Sequence, residues 1–243
     1  MKKVSLLALA LTTTLAATAA SAQTAMPVAP AAPCAVPCPC PKAFQGFSFG
    51  ADLGYGFAAS NLVTTINTAT FASKSAMQGL DGGLMVGYLQ RFNNWGLGLD
   101  FIANWSNTSS TNNFQGPATN NINGVKVQMR NALDLRGVVG YVINNLVMPK
   151  VYLGWENAQY KVSSVASTGN DLNGLNASKR LNGFLWGFGV DFLVAKNVVC
   201  GFEYTGVTFG KQTFPINKGA PSNAVSIRPG AYNRIAFTAK FVY

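Results

Sequence analysis

The chain has 243 residues, 49% of them hydrophobic and 11% charged, with a formal charge of +10 and no histidine. That charged fraction is under half the ~25% of a soluble domain, yet past the N-terminus no run reaches the ~18 consecutive apolar residues of a membrane helix. This composition argues against an ordinary soluble domain and against a helical membrane protein. The basic balance points to anionic partners, but the cations form no long run and no recognition-helix pattern, which counts against nucleic acid.

Residues 1–22 read as a secretory signal peptide. Lys2 and Lys3 give the positive start, Val4 to Leu15 the apolar segment, and Ala20-Ser21-Ala22 the small-residue cleavage pattern. Residues 23–43 are rich in Ala, Pro and Cys, a composition that favours extended polyproline over helix or ladder. They read as a periplasmic linker. Its Cys34, Cys38 and Cys40 offer three thiols without histidine at a spacing that matches no usual zinc pattern, so no metal site is expected. A disulfide and no defined role both stay open for them.

From Phe44 to Tyr243 the pattern alternates with period two, the mark of strands with one apolar face. Phe47, Phe49, Leu53, Tyr55 and Phe57 oppose Ser48, Gly50, Asp52, Gly54 and Gly56. Leu80, Leu84, Val86 and Tyr88 oppose Asp81, Gly83, Met85 and Gly87. Trp95, Leu97, Leu99, Phe101 and Trp105 follow with Asp100 on the other side. Between Val125 and Tyr141, unbroken alternation places Val125, Val127, Met129, Leu133, Leu135, Val139 and Tyr141 outside. It sets Lys126, Gln128, Arg130, Asp134 and Arg136 inside. Val151, Leu153 and Trp155 oppose Glu156. Phe184, Trp186, Phe188 and Phe192 oppose Asp191. Phe202 and Tyr204 oppose Glu203. Ile235, Phe237 and Phe241 oppose Arg234 and Lys240.

Eight strands result. Short links (90–94, 144–145, 195–197) follow the second, fourth and sixth; polar loops (58–76, 106–124, 163–178, 210–231) follow the others. This asymmetry is that of a transmembrane barrel with short periplasmic turns and long extracellular loops. Of eight acidic residues, seven (Asp52, Asp81, Asp100, Asp134, Glu156, Asp191, Glu203) lie on the glycine-rich face and only Asp171 in a loop. A soluble sandwich leaves those acids in solvent but must then bury eight aromatic faces against one another. A barrel turns them into a lumen beside Lys126, Arg130, Arg136, Arg234 and Lys240, where buried ions find partners. The expected fold is all-β, an eight-stranded antiparallel up-and-down transmembrane β-barrel. A soluble barrel with an apolar ligand cavity is the competing architecture.

The run from Gly46 to Tyr55, the run from Leu135 to Tyr141, and the closing stretch from Phe237 to Tyr243 resemble the small eight-stranded outer-membrane proteins of Gram-negative bacteria. That group includes opacity-type surface proteins and the barrel domain of OmpA-like proteins. The resemblance implies residence in the cell outer membrane and a terminal strand (Phe237, Phe241, Tyr243) read as an assembly signal by the barrel assembly machinery. Tyr243 stands where that group most often has Phe.

The expected role is an outer-membrane surface protein with a charge-filled lumen and four exposed loops. It would serve envelope structure and surface interaction or adhesion; a narrow porin-like channel for ions or small solutes is the alternative. Outer-membrane lipid, lipopolysaccharide and a host or cell-surface ligand are the expected partners. Without a histidine base, the usual lipid- or peptide-cleaving chemistry has no support, and no enzyme activity, catalytic residue or cofactor is expected. The glycine pairs Gly54/Gly56, Gly96/Gly98 and Gly187/Gly189 lie inside strands and precede no helix, so they fail as a dinucleotide loop.

Overall fold

The computed structural model describes residues 43–66, 69–115, 122–165, 176–215 and 224–243. The expected signal peptide (residues 1–22), Cys34, Cys38, Cys40 and Asp171 lie outside these residues. The described chain is built of strands β1 (Gly46–Ile66), β2 (Ala69–Phe92), β3 (Trp95–Ser106), β4 (Ser109–Gln115) and β5 (Ile122–Tyr141). They continue as β6 (Val147–Val165), β7 (Asn176–Ala195), β8 (Val198–Phe209), β9 (Gln212–Pro215) and β10 (Ala224–Val242). β4 prolongs β3 and β9 prolongs β8, so ten segments make eight staves. Each stave pairs antiparallel with its neighbours in sequence, and β10 returns to β1 with Phe49 opposite Phe241 and Tyr55 opposite Ile235. Closure leaves no free edge, the condition for a sheet inside hydrocarbon.

The short links behave as the turn chemistry demands. Asn93, Asn144 and Asn145 have φ of 55°, 50° and 55°, the left-handed region that asparagine tolerates and tight hairpins require. At the same end Arg91 is buried. Its Nε donates to the carbonyl of Asn93 (2.6 Å) and its Nη1 to Asn145 Oδ1 (2.6 Å), fastening two turns together.

At the other end the expected long loops are mostly ladder. β1 and β2 pair without a break from Gly46–Leu89 to Ile66–Ala69, through a stretch expected to be loop. β4 pairs with the upper part of β5, and β9 with the upper part of β10. Ser, Thr and Asn read as loop residues, but hairpin ladders standing in water need no apolar face, and Thr favours the extended backbone. Residues 166–175 of the third loop lie outside the described residues.

The faces fall as the alternation predicts, with one correction. On β5, Val125, Val127 and Met129 are buried in the lumen, whereas Arg130 is exposed and Lys126 and Gln128 are half-buried on the outer side. A β-bulge between Met129 and Ala132 is the cause: Met129 faces Tyr160 and Ala132 faces Ala158, so two residues, Arg130 and Asn131, stand against Gln159. A bulge inserts one residue and reverses the parity beyond it. Lys126 and Arg130 therefore do not belong to the lumen. Deleting Asn131 turns this bulge into regular alternation with every other β5 residue keeping its face. We expect the deletion to retain the folded, heat-modifiable band and to move the urea midpoint by less than about 1 kcal/mol in free energy. Unbroken alternation predicts that it reverses half the strand and prevents folding.

The outer surface is apolar as few surfaces in water are. Phe47, Leu53, Leu153 and Phe184 are 57–67% exposed, and they belong to a continuous belt on all eight staves. Patches far smaller than this mark interaction sites on soluble proteins. The belt makes lipid the solvent of this face, and the barrel a transmembrane one. Trp95 and Tyr141 meet edge-on at one rim, with ring centroids 5.2 Å apart, as an interfacial aromatic girdle does.

Candidate functional site in the barrel lumen

The lumen is filled in layers, and each layer follows from which residues alternate inward. At the short-turn end Phe44, Val142, Met148 and Val199 form an apolar cap. Above it lies a balanced ion cluster. Arg136 on β5 grips Glu203 on β8 with two nitrogens, at 2.7 and 3.2 Å, and reaches Asp100 on β3 at 3.3 Å. Lys150 on β6 lies 2.7 Å from Glu203 and 2.8 Å from Asp191. Lys240 on β10 lies 3.4 Å from Asp191, with Glu203 and Asp100 at 3.8 and 3.9 Å. Three cations thus meet three carboxylates from six staves. Forked Arg–carboxylate geometry fixes orientation as well as charge.

Tyr152 covers this cluster. Its ring sits 4.3 Å from the Arg136 guanidinium carbon, and its hydroxyl bonds Thr205 Oγ1 (2.8 Å) and donates to the Tyr204 carbonyl (3.0 Å). Gly187 gives the ring its space: a Cβ there would collide with the ring edge. This explains the inward glycines beside long side chains. They are room for neighbours across the lumen.

The next layer is unbalanced. Arg234 bonds Asp52 at 2.6 Å and Asp81 at 2.9 Å, and the Tyr232 hydroxyl donates to Asp81 at 2.6 Å. Asp134 accepts from Asn104 Nδ2 at 2.7 Å. Glu156, directly opposite Asp134 in the ladder, is 2% exposed, and its Oε1 has no hydrogen-bond partner among the described residues. Four carboxyl groups therefore share one guanidinium, because the bulge has turned Lys126 and Arg130 outward. Higher still, Met77, Val127, Met129, Tyr160, Leu181 and Phe209 pack an apolar plug.

Of the residues predicted for the lumen, Asp52, Asp81, Asp100, Asp134, Arg136, Glu156, Asp191, Glu203, Arg234 and Lys240 all point into it. Lys150 was missed. It follows Pro149 at the strand start, and the outward Val151 and Leu153 set it on the inner face by alternation. Nothing in the alternation singles out Tyr152 and Tyr232, which are the hydrogen-bonding lids of the two layers. Phe237 and Phe241 face outward on β10, and Tyr243, 89% exposed, donates its backbone N–H to Phe47 at 2.7 Å. Cys200 holds a free thiol, half-buried on β8. No group of His, Cys, Asp or Glu among the described residues is placed to hold a metal ion.

The two layers make opposite predictions for neutral substitutions. Glu203→Gln leaves Arg136 and Lys150 short of a charge and is expected to cost about 3–5 kcal/mol. Glu156→Gln removes a buried carboxyl without a partner and is expected to be neutral or stabilising by about 1–3 kcal/mol. Urea unfolding followed by tryptophan fluorescence, run on both variants, checks the contrast.

No family model matches this sequence, and no curated protein matches it. Among solved structures, the neisserial surface protein NspA is similar at 14% identity over 82% of this chain and 98% of that one, with a TM-score of 0.44. The outer membrane protein OprG of Pseudomonas aeruginosa is similar at 13% identity over 82% and 98%, with a TM-score of 0.48. The outer membrane protease OmpT of Escherichia coli is similar at 9% identity over 81% and 96%, with a TM-score of 0.43. Strand count, closure, apolar exterior and ion-paired interior are this chain's own geometry, and they give it the fold of the small eight-stranded outer-membrane barrels.

Proposed function

We propose that this protein is an outer-membrane surface barrel with a closed lumen. Its short-turn end faces the periplasm and its prolonged hairpins face outward. It serves envelope structure and surface contact rather than transport or catalysis. The observation that carries this reading is the cluster of Arg136, Lys150 and Lys240 with Asp100, Asp191 and Glu203, which joins six staves across the bore. Cross-lumen ties of this kind stiffen a wall, and the apolar plug above them excludes a continuous water column. The partners of such a protein are the lipids around it, the machinery that inserts it, and whatever cell surface its hairpins meet.

One feature favours the narrow channel as a second reading. A small recess at the short-turn end is lined in part by Asp100, Lys150, Asp191 and Lys240. An exchange of partners within that cluster is the route by which a path would open. The test of the principal reading is membrane fractionation of cells producing the full chain, combined with gel migration of boiled and unboiled samples. Detergent-dependent recovery from the outer membrane and a heat-modifiable band are expected. Recovery as a soluble periplasmic protein overturns it.

A further inference from the structure

We propose that the outward cations of β5, β6 and β7 form a binding site for an outer-leaflet glycolipid that carries more than one phosphate. The inference rests on the outer-membrane reading above, which sets the leaflet. It starts from the bulge that expelled Lys126 and Arg130 from the lumen.

The ladder places these cations on one lattice. Lys126 faces Ser163, Gln128 faces Lys161, Lys161 faces Ser178, and Gln159 faces Arg180. Lys126, Lys161 and Arg180 therefore run diagonally across three adjacent strands, each one strand over and two residues along from the last. With strands ~4.8 Å apart and ~3.4 Å per residue, neighbouring Cα atoms on that diagonal are about 8 Å apart. Arg130 stands beside the row at the bulge. Arg130 and Arg180 are exposed; Lys126 and Lys161 are half-buried on this outer face.

Among the described residues no carboxylate answers them. The seven described acids point into the lumen, and Lys126, Arg130, Lys161 and Arg180 make no ion pair among the described residues. Their neighbours are neutral hydrogen-bonding groups. Arg180 Nη1 donates to Asn157 Oδ1 at 2.7 Å, which holds the guanidinium against the sheet. Asn157 Nδ2 donates in turn to Asn182 Oδ1 at 2.6 Å, and Gln159 Nε2 to Ser178 at 2.9 Å.

Directly below is the apolar belt. Trp155 is opposite Leu135 and Phe184, and all three are exposed. The amide row of Asn157 and Asn182 lies one step above them, and the cations begin one step higher, about 13 Å along the strand from Trp155. Cations above amides above exposed aromatics match, in order, the phosphates, sugar hydroxyls and acyl chains of a glycolipid standing beside the barrel. A soluble polyanion would use the cations and leave the belt idle. A headgroup with one phosphate would engage one or two of the positions along the diagonal; two phosphates on a rigid sugar engage the whole row. Arginine adds forked recognition of phosphate oxygens.

The test uses the full-length mature protein in phosphatidylcholine nanodiscs. Bisphosphorylated lipid A, its monophosphorylated form and phosphatidylglycerol are titrated separately, and bound lipid is read by native mass spectrometry. Lys126→Gln/Lys161→Gln/Arg180→Gln is compared with Lys74→Gln/Lys196→Gln/Lys211→Gln, which removes equal charge elsewhere. Wild type and the control are expected to bind bisphosphorylated lipid A alike. The diagonal variant is expected to bind at least tenfold more weakly, and wild type to prefer two phosphates over one. Equal binding by the diagonal variant overturns the site. So does phosphatidylglycerol binding as tightly as lipid A, which marks a merely anionic surface. If the triple variant does not fold, Lys161→Gln alone decides, with about threefold weakening expected and no change contradicting the site. Failure of the wild type to enter the nanodisc overturns the outer-membrane reading itself, and is seen before any lipid is added.

Discussion

Arg234→Met is expected to be among the most damaging single substitutions in the barrel, costing about 3–5 kcal/mol of folding free energy. Methionine nearly keeps the volume, so the loss is electrostatic. Among the described residues Arg234 is the only cation that bonds Asp52 and Asp81, and these share their layer with Asp134 and Glu156. Without it four carboxyl groups remain buried with no positive partner. The measurement is urea unfolding of refolded protein in detergent micelles. A second reading comes from Arg234→Met combined with Asp52→Asn and Asp81→Asn, which removes the charges that Arg234 serves. The combination is expected to recover at least half of the lost free energy, since apolar or neutral replacements of whole buried ion clusters are well tolerated. A single variant as stable as wild type would show that the layer does not depend on this pairing.

Tyr152→Ala is the second large effect, and it works through space rather than charge. Tyr152 is 1% exposed and stacks between the balanced cluster and the layer above. Its loss leaves a cavity and two orphaned partners, Thr205 Oγ1 and the Tyr204 carbonyl. Aromatic-to-alanine changes in cores cost about 3–5 kcal/mol. Tyr152→Phe keeps the ring over Arg136 and Gly187 and loses only the hydroxyl, an expected cost of about 1 kcal/mol. The two variants also separate functions of the lumen. The alanine variant opens a route past the ion cluster, so brief conductance steps are expected from it and not from the phenylalanine variant.

How far these features could be read from residues alone depended on the period of the chain. Every strand in the membrane showed itself, because period-two alternation of aromatics against glycine and acid persists over about ten residues, long enough to be unambiguous. The inward placement of ten charged residues shares that cause: once the aromatic face is assigned, the opposite face follows. Lys126 and Arg130 were misplaced because a bulge leaves no mark in a pattern of alternating apolar residues. Val125, Val127 and Met129 are equally good lumen or lipid residues, and only the partner strand shows that Gln159 opposes two residues. One signal was present: carried through Ala132, the alternation sets that small apolar residue on the charged face and breaks the run of cations.

The hairpins beyond the membrane were illegible for a different reason. Outside hydrocarbon nothing forces a strict alternation, and Ser, Thr and Asn look like loop. The imbalance of the upper layer could not be anticipated either, since it follows from the same bulge. What residues did convey there was the cost of the arrangement: seven acids on inward faces demand cations, and the inward cations Arg136, Lys150, Arg234 and Lys240 prove to be spread unequally, three to one.

The closed lumen is the central claim, and steady-state conductance in planar lipid bilayers tests it most directly. Wild-type protein, refolded and showing its heat-modifiable band, is expected to give no steady unitary conductance in molar potassium chloride. Regular, long-lived steps from the wild-type barrel, abolished by boiling the sample first, would contradict the closed lumen and establish the narrow channel in its place.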